Sequence, residues 1–435
     1  MTLPRGTPAE IDERIVITGL GAVSAVGIGS RETFASLVAG RSGIDRITRF
    51  DPSGVTYGIA GEVKGFDPLA YMEAKQARRI GRYAQFALAA TNEALCSARL
   101  DLAAEDRDRV AAVIGSSIGD FPLLEEQIYR FRTKGPGSIN PFTVPRVSSS
   151  MASAQVSLVH GLTGPSFGLA SACATGSHSI AAAWMLLKAG LADVALAGAT
   201  DAPISPSFVD AYAVMGVLAK QVEDPARASR PFDRDRTGFV VAEGCAVLVL
   251  ETTAHARARG ATILAELAGI GMSCDAHHVT ACDPEGRGAA RAMTLALHSA
   301  GLDASQVDYI NAHGTSTVLN DAAETRAIKA ALGEHAHLTP VSSIKSMIGH
   351  AIGGAGALEA MTCVMALNYG VIPPTINLDN ADPVCDLDYV PGVARRRDLR
   401  VVMSNSFAFG GQNCVLVFRH PERAQKTSAS DRRPA

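Results

Sequence analysis

Three short segments of this 435-residue chain combine residue types that could do chemistry. The first runs from Gly164 to His178 and reads as strand, tight turn and helix, with Cys173 on the turn inside Ser171-Ala172-Cys173-Ala174-Thr175-Gly176. A thiol at a helix N-terminus faces the positive end of the helix dipole and unpaired N–H groups, which favours the thiolate. Small neighbours leave room for a substrate to approach. In the second segment, Asn311-Ala312-His313-Gly314-Thr315-Ser316-Thr317 follows a strand expected over 307–313, so His313 stands at a strand's carboxyl end, where ligand sites of α/β proteins form. The third, Lys345-Ser346-Met347-Ile348-Gly349-His350, precedes Gly353-Gly354-Ala355-Gly356 and sets a cation and an imidazole before a glycine-rich helix start. Its lysine comes before the glycines, against the G-x-x-x-x-G-K-[ST] order, so nucleotide binding is rejected. A lone buried cysteine is more often a small hydrophobe than a nucleophile, and Cys96, Cys245, Cys274, Cys282, Cys363, Cys385 and Cys414 are read as core or surface residues. The stretch from Cys274 to Cys282 also contains His277 and His278, but adjacent histidines with one cysteine at each end match no usual zinc spacing, and no metal is expected.

The elements that must position these groups are legible as a repeat. Arg14 to Gly21 reads as a buried β-branched strand entering a glycine turn. Ala94-Leu95-Cys96-Ser97-Ala98-Arg99-Leu100-Asp101 is echoed by Ala296-Leu297-His298-Ser299-Ala300-Gly301-Leu302-Asp303, each closing a helix ahead of a short strand, over 110–115 and 307–313. Cys173-Ala174-Thr175-Gly176, leading into a helix over 180–189, is paired with His350-Ala351-Ile352-Gly353, leading into one over 357–369. Gly244 to Leu250 is echoed by Gln412 to Phe418. Three echoes in one order indicate two α/β halves, 14–257 with the cysteine and 258–420 with the histidines. They also suggest that Cys173 and His350 occupy equivalent helix starts. The polar tail from Glu422 to Ala435 has too little apolar surface to fold and is expected to be disordered.

Composition narrows the function class. The chain is 47% hydrophobic with 41 glycines and 5% aromatics, as suits a closely packed α/β enzyme. Its net charge of -3, without a basic stripe interleaved with aromatics, gives nucleic-acid binding no support. No apolar stretch is long enough to span a bilayer and no secretory leader is evident, so the expected location is the cytoplasm, where scattered thiols stay reduced.

The cysteine turn, His313-Gly314-Thr315-Ser316-Thr317, Lys345 to His350, and Asn405-Ser406-Phe407-Ala408-Phe409-Gly410-Gly411-Gln412-Asn413 stand in the order of the elongating beta-ketoacyl-acyl carrier protein synthases. The resemblance takes in Arg230-Pro231-Phe232-Asp233, Gly238-Phe239 and Glu243-Gly244 and leaves out only the two tails. It implies a thiolase-like fold, two duplicated halves in a five-layer αβαβα sandwich. It implies decarboxylative condensation of an acyl group on Cys173 with malonyl-acyl carrier protein, without a cofactor. In this reading the N–H groups of Cys173 and Phe409 form the oxyanion hole, and His313 and His350 assist decarboxylation and steady the enolate. Lys345 pairs with Glu359 as support, and Thr315 and Thr317 contact the pantetheine arm. Phe409 gates an acyl tunnel walled by Ile118, Phe239 and Phe208, beside a mobile loop near Cys274 to Cys282. The implied partners are the acyl carrier protein and a second subunit, in a homodimer or in a heterodimer with a chain-length-factor-like chain. The helix-like run 151–159 is a candidate interface.

Thiolases and initiating synthases, which share the fold, use Cys-His-Cys or Cys-His-Asn sets, and the Lys345 to His350 segment argues against both. A rival reading is a non-condensing partner that shapes the tunnel of a heterodimer, although such relatives typically lack the cysteine. Ala408 in place of a usual glycine, Gln412 in place of a common threonine, and Ala199-Thr200-Asp201-Ala202-Pro203-Ile204 point toward ketosynthase subunits of type II polyketide systems.

Overall fold

A computed structural model describes residues 14–220 and 223–422. Apart from Glu422, the tail expected to be disordered lies outside them. Among the described residues, ten of the eleven strands of the main sheet fall into two sets of five. The first set is β1 (Ile15–Ser24), β2 (Val110–Gly115), β3 (Ser166–Phe167), β4 (Val194–Asp201) and β5 (Gly244–Thr252). The second is β6 (Ala265–Cys274), β7 (Tyr309–Asn311), β8 (Val341–Ser342), β9 (Val401–Ala408) and β10 (Gln412–Arg419).

Spatial order is β3-β2-β4-β5-β1 in one set and β8-β7-β9-β10-β6 in the other, so each strand of the first has its counterpart five places later. In both, the first three strands are parallel and the last two join antiparallel. β1 and β6 touch antiparallel at only two register pairs, Val16 with Glu266 and Ile17 with Ala265, which makes the two sheets continuous.

The helices repeat as well. α1 (Arg82–Ala98), α2 (Met151–His160) and α3 (Thr175–Lys188) correspond to α4 (Arg287–Ala300), α5 (Val318–Leu332) and α6 (Ala355–Tyr369). α1 lies on β1 and β5 from outside, α4 lies on β6 and β10, and α3 and α6 pack on each other between the two sheets. That is the αβαβα sandwich.

Sequence explains the layering. From Ala355 to Leu367 every residue of α6 is buried, and apart from Glu359 and Thr362 that stretch is apolar on all sides, as a helix covered by protein all round requires. α3 and α6 cross where neither presents a Cβ: one on Gly176 would sit 2.4 Å from Ala357 N, and one on Gly356 2.9 Å from Ser177 N. The outer helices approach just as closely. A Cβ on Gly21 would meet Ala90 O at 1.9 Å, and one on Gly271 would meet Ala292 O at 2.0 Å. Gly19-Leu20-Gly21 and Gly269-Ile270-Gly271 are therefore a fourth echo, set by sheet-to-helix contact, that the sequence comparison of the halves passed over.

One pairing must be corrected. The turn before α3 spans Ala172–Ala174 and that before α6 spans Ile352–Gly354, and each opens on a non-glycine residue with positive φ, +48° at Ala172 and +49° at Ile352. The duplication thus matches Cys173 with Gly353, and His350 lies three residues upstream of the equivalent position. Local likeness of small residues around the two turns misled the earlier register.

Candidate active site

Cys173, His313, His350 and Phe409 line one cleft between the halves. Cys173 is buried at the start of α3. Left-handed Ala172 aims the turn, a conformation that costs a residue with a Cβ about 1–2 kcal/mol and is held by its surroundings. Ala172 O accepts from Ser117 Oγ at 2.7 Å and from Thr175 Oγ1 at 2.7 Å. Asp201, at the end of β4, accepts from Ser116 Oγ (2.6 Å), Ser117 N and Gly353 N (2.7 Å), and so ties the nucleophile turn to its counterpart before α6.

The helix terminus does not set the resting state of the thiol. Burial pushes the Cys173 thiol up to about 11, against the opposing pull of the Lys345 ammonium and of the backbone N–H groups of Phe409 and of Cys173 itself. Desolvation therefore outweighs the dipole, and the expected low-pKa thiolate is corrected to a thiol. Two N–H groups from opposite halves, those of Cys173 and Phe409, bear on the sulfur.

His313 follows β7 on a loop fastened by α5. Glu324 accepts from His313 N at 2.8 Å, from Gly314 N at 2.7 Å and from Asn405 Nδ2 at 3.1 Å. Burial raises this carboxyl to about 7. The expected strand over 307–313 is shorter, Tyr309–Asn311, because the chain turns into this loop. His350 is held through its backbone, its N–H donating to Val240 O at 2.7 Å and its O accepting from Ala242 N at 2.9 Å. The two imidazoles meet edge to face at 5.5 Å between centroids.

Lys345 is buried beneath them. Its Nζ donates to His313 O at 2.6 Å, lies 3.4 Å from His313 Nδ1 and pairs with Glu359 of α6. An ammonium beside Nδ1 leaves that nitrogen the acceptor, so the imidazole proton sits on Nε2. Burial first, then the Lys345 charge, holds both imidazoles well below their ordinary value, with His350 adding to the effect on His313. Both rings are neutral at pH 7, each with one N–H to give.

Thr315 and Thr317 line the same cleft and share a hydrogen bond of 2.9 Å between their hydroxyls. Phe239 lines it too, edge-on to His350 at 5.2 Å. Phe208 and Ile118 belong to the apolar cluster around Phe239 but do not line the open cleft. At the mouth, the loop from Cys274 to Cys282 is stitched to the Phe409 loop: Gly410 N donates to Val279 O and Asp275 N to Gly411 O, each at 2.8 Å. His277 and His278 are exposed there.

Sequence reading missed Glu324, Asp201 and Tyr212. Glu324 carries no motif of its own and Asp201 figured only as part of the segment 199–204; burial, invisible in one sequence, makes both stand out. Tyr212, at the end of the helix 206–214, lines the cleft between Phe239 and Phe409.

With this geometry in place, comparisons identify the class. Residues 12–256 match the beta-ketoacyl synthase N-terminal domain and residues 264–379 the beta-ketoacyl synthase C-terminal domain. The chain belongs to the beta-ketoacyl synthase family and is an acyltransferase of the elongating kind. It is 45% identical to a 3-oxoacyl-[acyl-carrier-protein] synthase 2 of Synechocystis sp., over 94% of this chain and 98% of that one. A protein of the same name from Coxiella burnetii is 44% identical over 93% and 98%. Among solved structures, a type II PKS ketosynthase in complex with its acyl-carrier protein superposes with a TM-score of 0.88 at 34% identity, covering 94% of this chain and all of that one. The ishigamide ketosynthase/chain length factor does so with 0.88 at 36%, covering 94% and 99%. These relatives favour condensation over the non-condensing partner role. Among the described residues, no helix is long and apolar enough to cross a membrane.

Proposed function

We propose that this synthase takes an acyl chain from the phosphopantetheine of an acyl carrier protein onto Cys173 and extends it with malonyl-acyl carrier protein, in fatty acid or type II polyketide elongation. The Cys173 sulfur attacks the thioester carbonyl, and the carrier's thiol leaves with the proton. The N–H groups of Cys173 and Phe409 stabilise the tetrahedral oxyanion, a role whose loss costs about two to three orders of magnitude in rate. Malonyl then loses CO2, and the Nε2–H of His313 and an N–H of His350 hold the enolate oxygen. Two neutral donors suit this better than one imidazolium, because they bind the enolate without quenching the carbanion by protonation. The carbanion attacks the acyl-cysteine carbonyl and releases the beta-ketoacyl product.

Lys345 and Glu359 keep His313 in its tautomer, Thr315 and Thr317 receive the pantetheine arm, and Phe409 gates a tunnel walled by Phe239 with Phe208 and Ile118 behind it. The two halves divide near Arg257. A second subunit, a like chain or a chain-length-factor-like one, sits on the face of α2, where Leu158 is 74% exposed beside the open edge strand β3. The scattered cysteines suit the cytoplasm.

The observation carrying this proposal is the convergence of Cys173, two neutral imidazoles and two N–H groups from opposite halves on one cleft. Incubation with acyl- and malonyl-acyl carrier protein should give a product longer by two carbons and an acyl adduct mapped to Cys173. Absence of that adduct in a folded protein would overturn it.

A further inference from the structure

Tyr212 puts a phenol beside the rings of Phe208, Phe239 and Phe409. Its ring stands edge-on to Phe208 at 5.1 Å and to Phe239 at 5.3 Å and lies 6.4 Å from Phe409. Phe239 in turn touches His350. Three aromatic neighbours fix the side chain, and it lines the cleft that holds Cys173. Among the described residues the hydroxyl has no hydrogen-bond partner. Burial raises its pKa, with the neighbouring Cys173 adding to the shift, so the phenol stays protonated and remains a donor at any working pH.

A phenylalanine here would keep all three ring contacts. The hydroxyl therefore adds nothing to packing, and its consequence falls on whatever enters the cleft. An unsubstituted alkyl chain lying against the hydroxyl would shield it from solvent and offer the donor no partner, which is costly in an apolar site. A chain carrying an oxygen acceptor would supply that partner.

We infer that Tyr212 is a specificity-determining residue that selects acyl donors bearing a hydroxyl or carbonyl oxygen near the thioester end over unsubstituted chains of equal length. This rests on the reading of the cleft as the acyl-loading site. Sites that hydrogen-bond a substrate oxygen discriminate against the analogue lacking it, because the site's own polar group is then stranded.

The test compares decanoyl-pantetheine with 3-hydroxydecanoyl-pantetheine as donors to the full-length protein, following acylation of Cys173 by intact mass. The wild type should load the hydroxylated donor about tenfold faster, as one neutral hydrogen bond gained in place of one lost would give. Tyr212→Phe, which keeps the ring, should abolish most of that ratio by speeding the plain donor and slowing the hydroxylated one. Equal rates in the wild type, or a ratio unchanged by the substitution, would overturn the inference while the loading of Cys173 stands. Failure of both donors to load Cys173 would overturn the acyl-loading reading itself and the inference with it.

Discussion

In the first half, Ala172 turns the backbone at φ +48° and a cysteine follows; in the second, Ile352 turns it at +49° and a glycine follows. The two helix starts share their backbone and differ in what they can carry. Cys173 opens into the cleft, whereas a Cβ on Gly353 would lie 2.5 Å from Ser117 Oγ and 2.6 Å from Asp201 Oδ2. Duplication thus supplied two equivalent turns, and the Asp201 clamp that joins them fills the second. The second half contributes chemistry from elsewhere, with His350 three residues before Gly353 and His313 on the loop fastened by Glu324. The nucleophile and its acid-base partners are consequently not symmetry mates.

The comparison breaks most completely at the thiol. Cys173→Ala should abolish condensation, because the other cysteine lining the cleft, Cys282, lies on the mouth loop and not on the turn before α3, and turnover above a few per cent in a verified mutant would refute the assignment. His313→Ala and His350→Ala should each cut condensation by about two to four orders of magnitude, as loss of a positioned acid-base group does, while acylation of Cys173 survives. Rapid-quench trapping of the acyl-enzyme separates the steps. If both mutants failed to acylate, the division of labour between the halves would be wrong.

Gly353→Ala probes the occupied turn. The added methyl must displace Asp201 or Ser117, and such overpacking costs about 1–3 kcal/mol. Both stability and the acylation rate should fall, since Ser117 supports Ala172 O beneath the nucleophile. Chemical denaturation with acylation kinetics reads both, and an unaltered protein would show that the clamp yields freely.

Imidazoles sharpen the contrast between cleft and rim. At the rim of the first half, Glu251 on β5 accepts from His255 Nδ1 at 2.6 Å, and His255 Nε2 meets Glu105 at 2.9 Å. The bond to Glu251 lifts His255 to about 9 despite partial burial, opposite to the depression of His313 and His350. Its folded pKa exceeds the unfolded value near 6.5, so its contribution to stability is complete below pH 6.5 and is lost as pH rises through 9. Thermal unfolding of the wild type should weaken across that window, and His255→Gln should flatten the loss. Identical pH profiles would remove His255 from the account.

Much of this was legible in the sequence, for identifiable reasons. Cys173, His313, Lys345 and His350 sit in short contiguous segments, and the corresponding strands β5 and β10 share Val-Leu-Val at 247–249 and 415–417, so both motif and duplication survive in linear order. The register of the two turns did not, because left-handed Ala172 and Ile352 have no residue type in common to mark them. The thiol's protonation also escaped, since a helix terminus can be read from a turn but full desolvation cannot. Glu324 and Asp201 act only through contacts 10 or more residues away, such as Glu324 with His313 and Asp201 with Gly353.

The smallest expected effect lies at Ala408, where the usual glycine would free the backbone before the Phe409 gate. In this structure Ala408 is extended, at φ -124° and ψ 160°, and positive φ falls instead on Gly410 and Gly411, at +77° and +70°. Alanine is therefore unstrained in the gate position seen, and the extra freedom of glycine matters only to the extent that another position needs it. Ala408→Gly should change the ratio of acylation rates for short and long donors by no more than about fivefold, equivalent to about 1 kcal/mol of gate bias, and leave malonyl decarboxylation unchanged. Gly411→Ala provides the counterpart. There a Cβ would meet Asp275 Cβ at 2.7 Å on a left-handed residue, so the stitch between the two mouth loops should loosen and the same ratio should move further. If Ala408→Gly proved the larger of the two, the freedom of the gate would lie before Phe409 rather than after it.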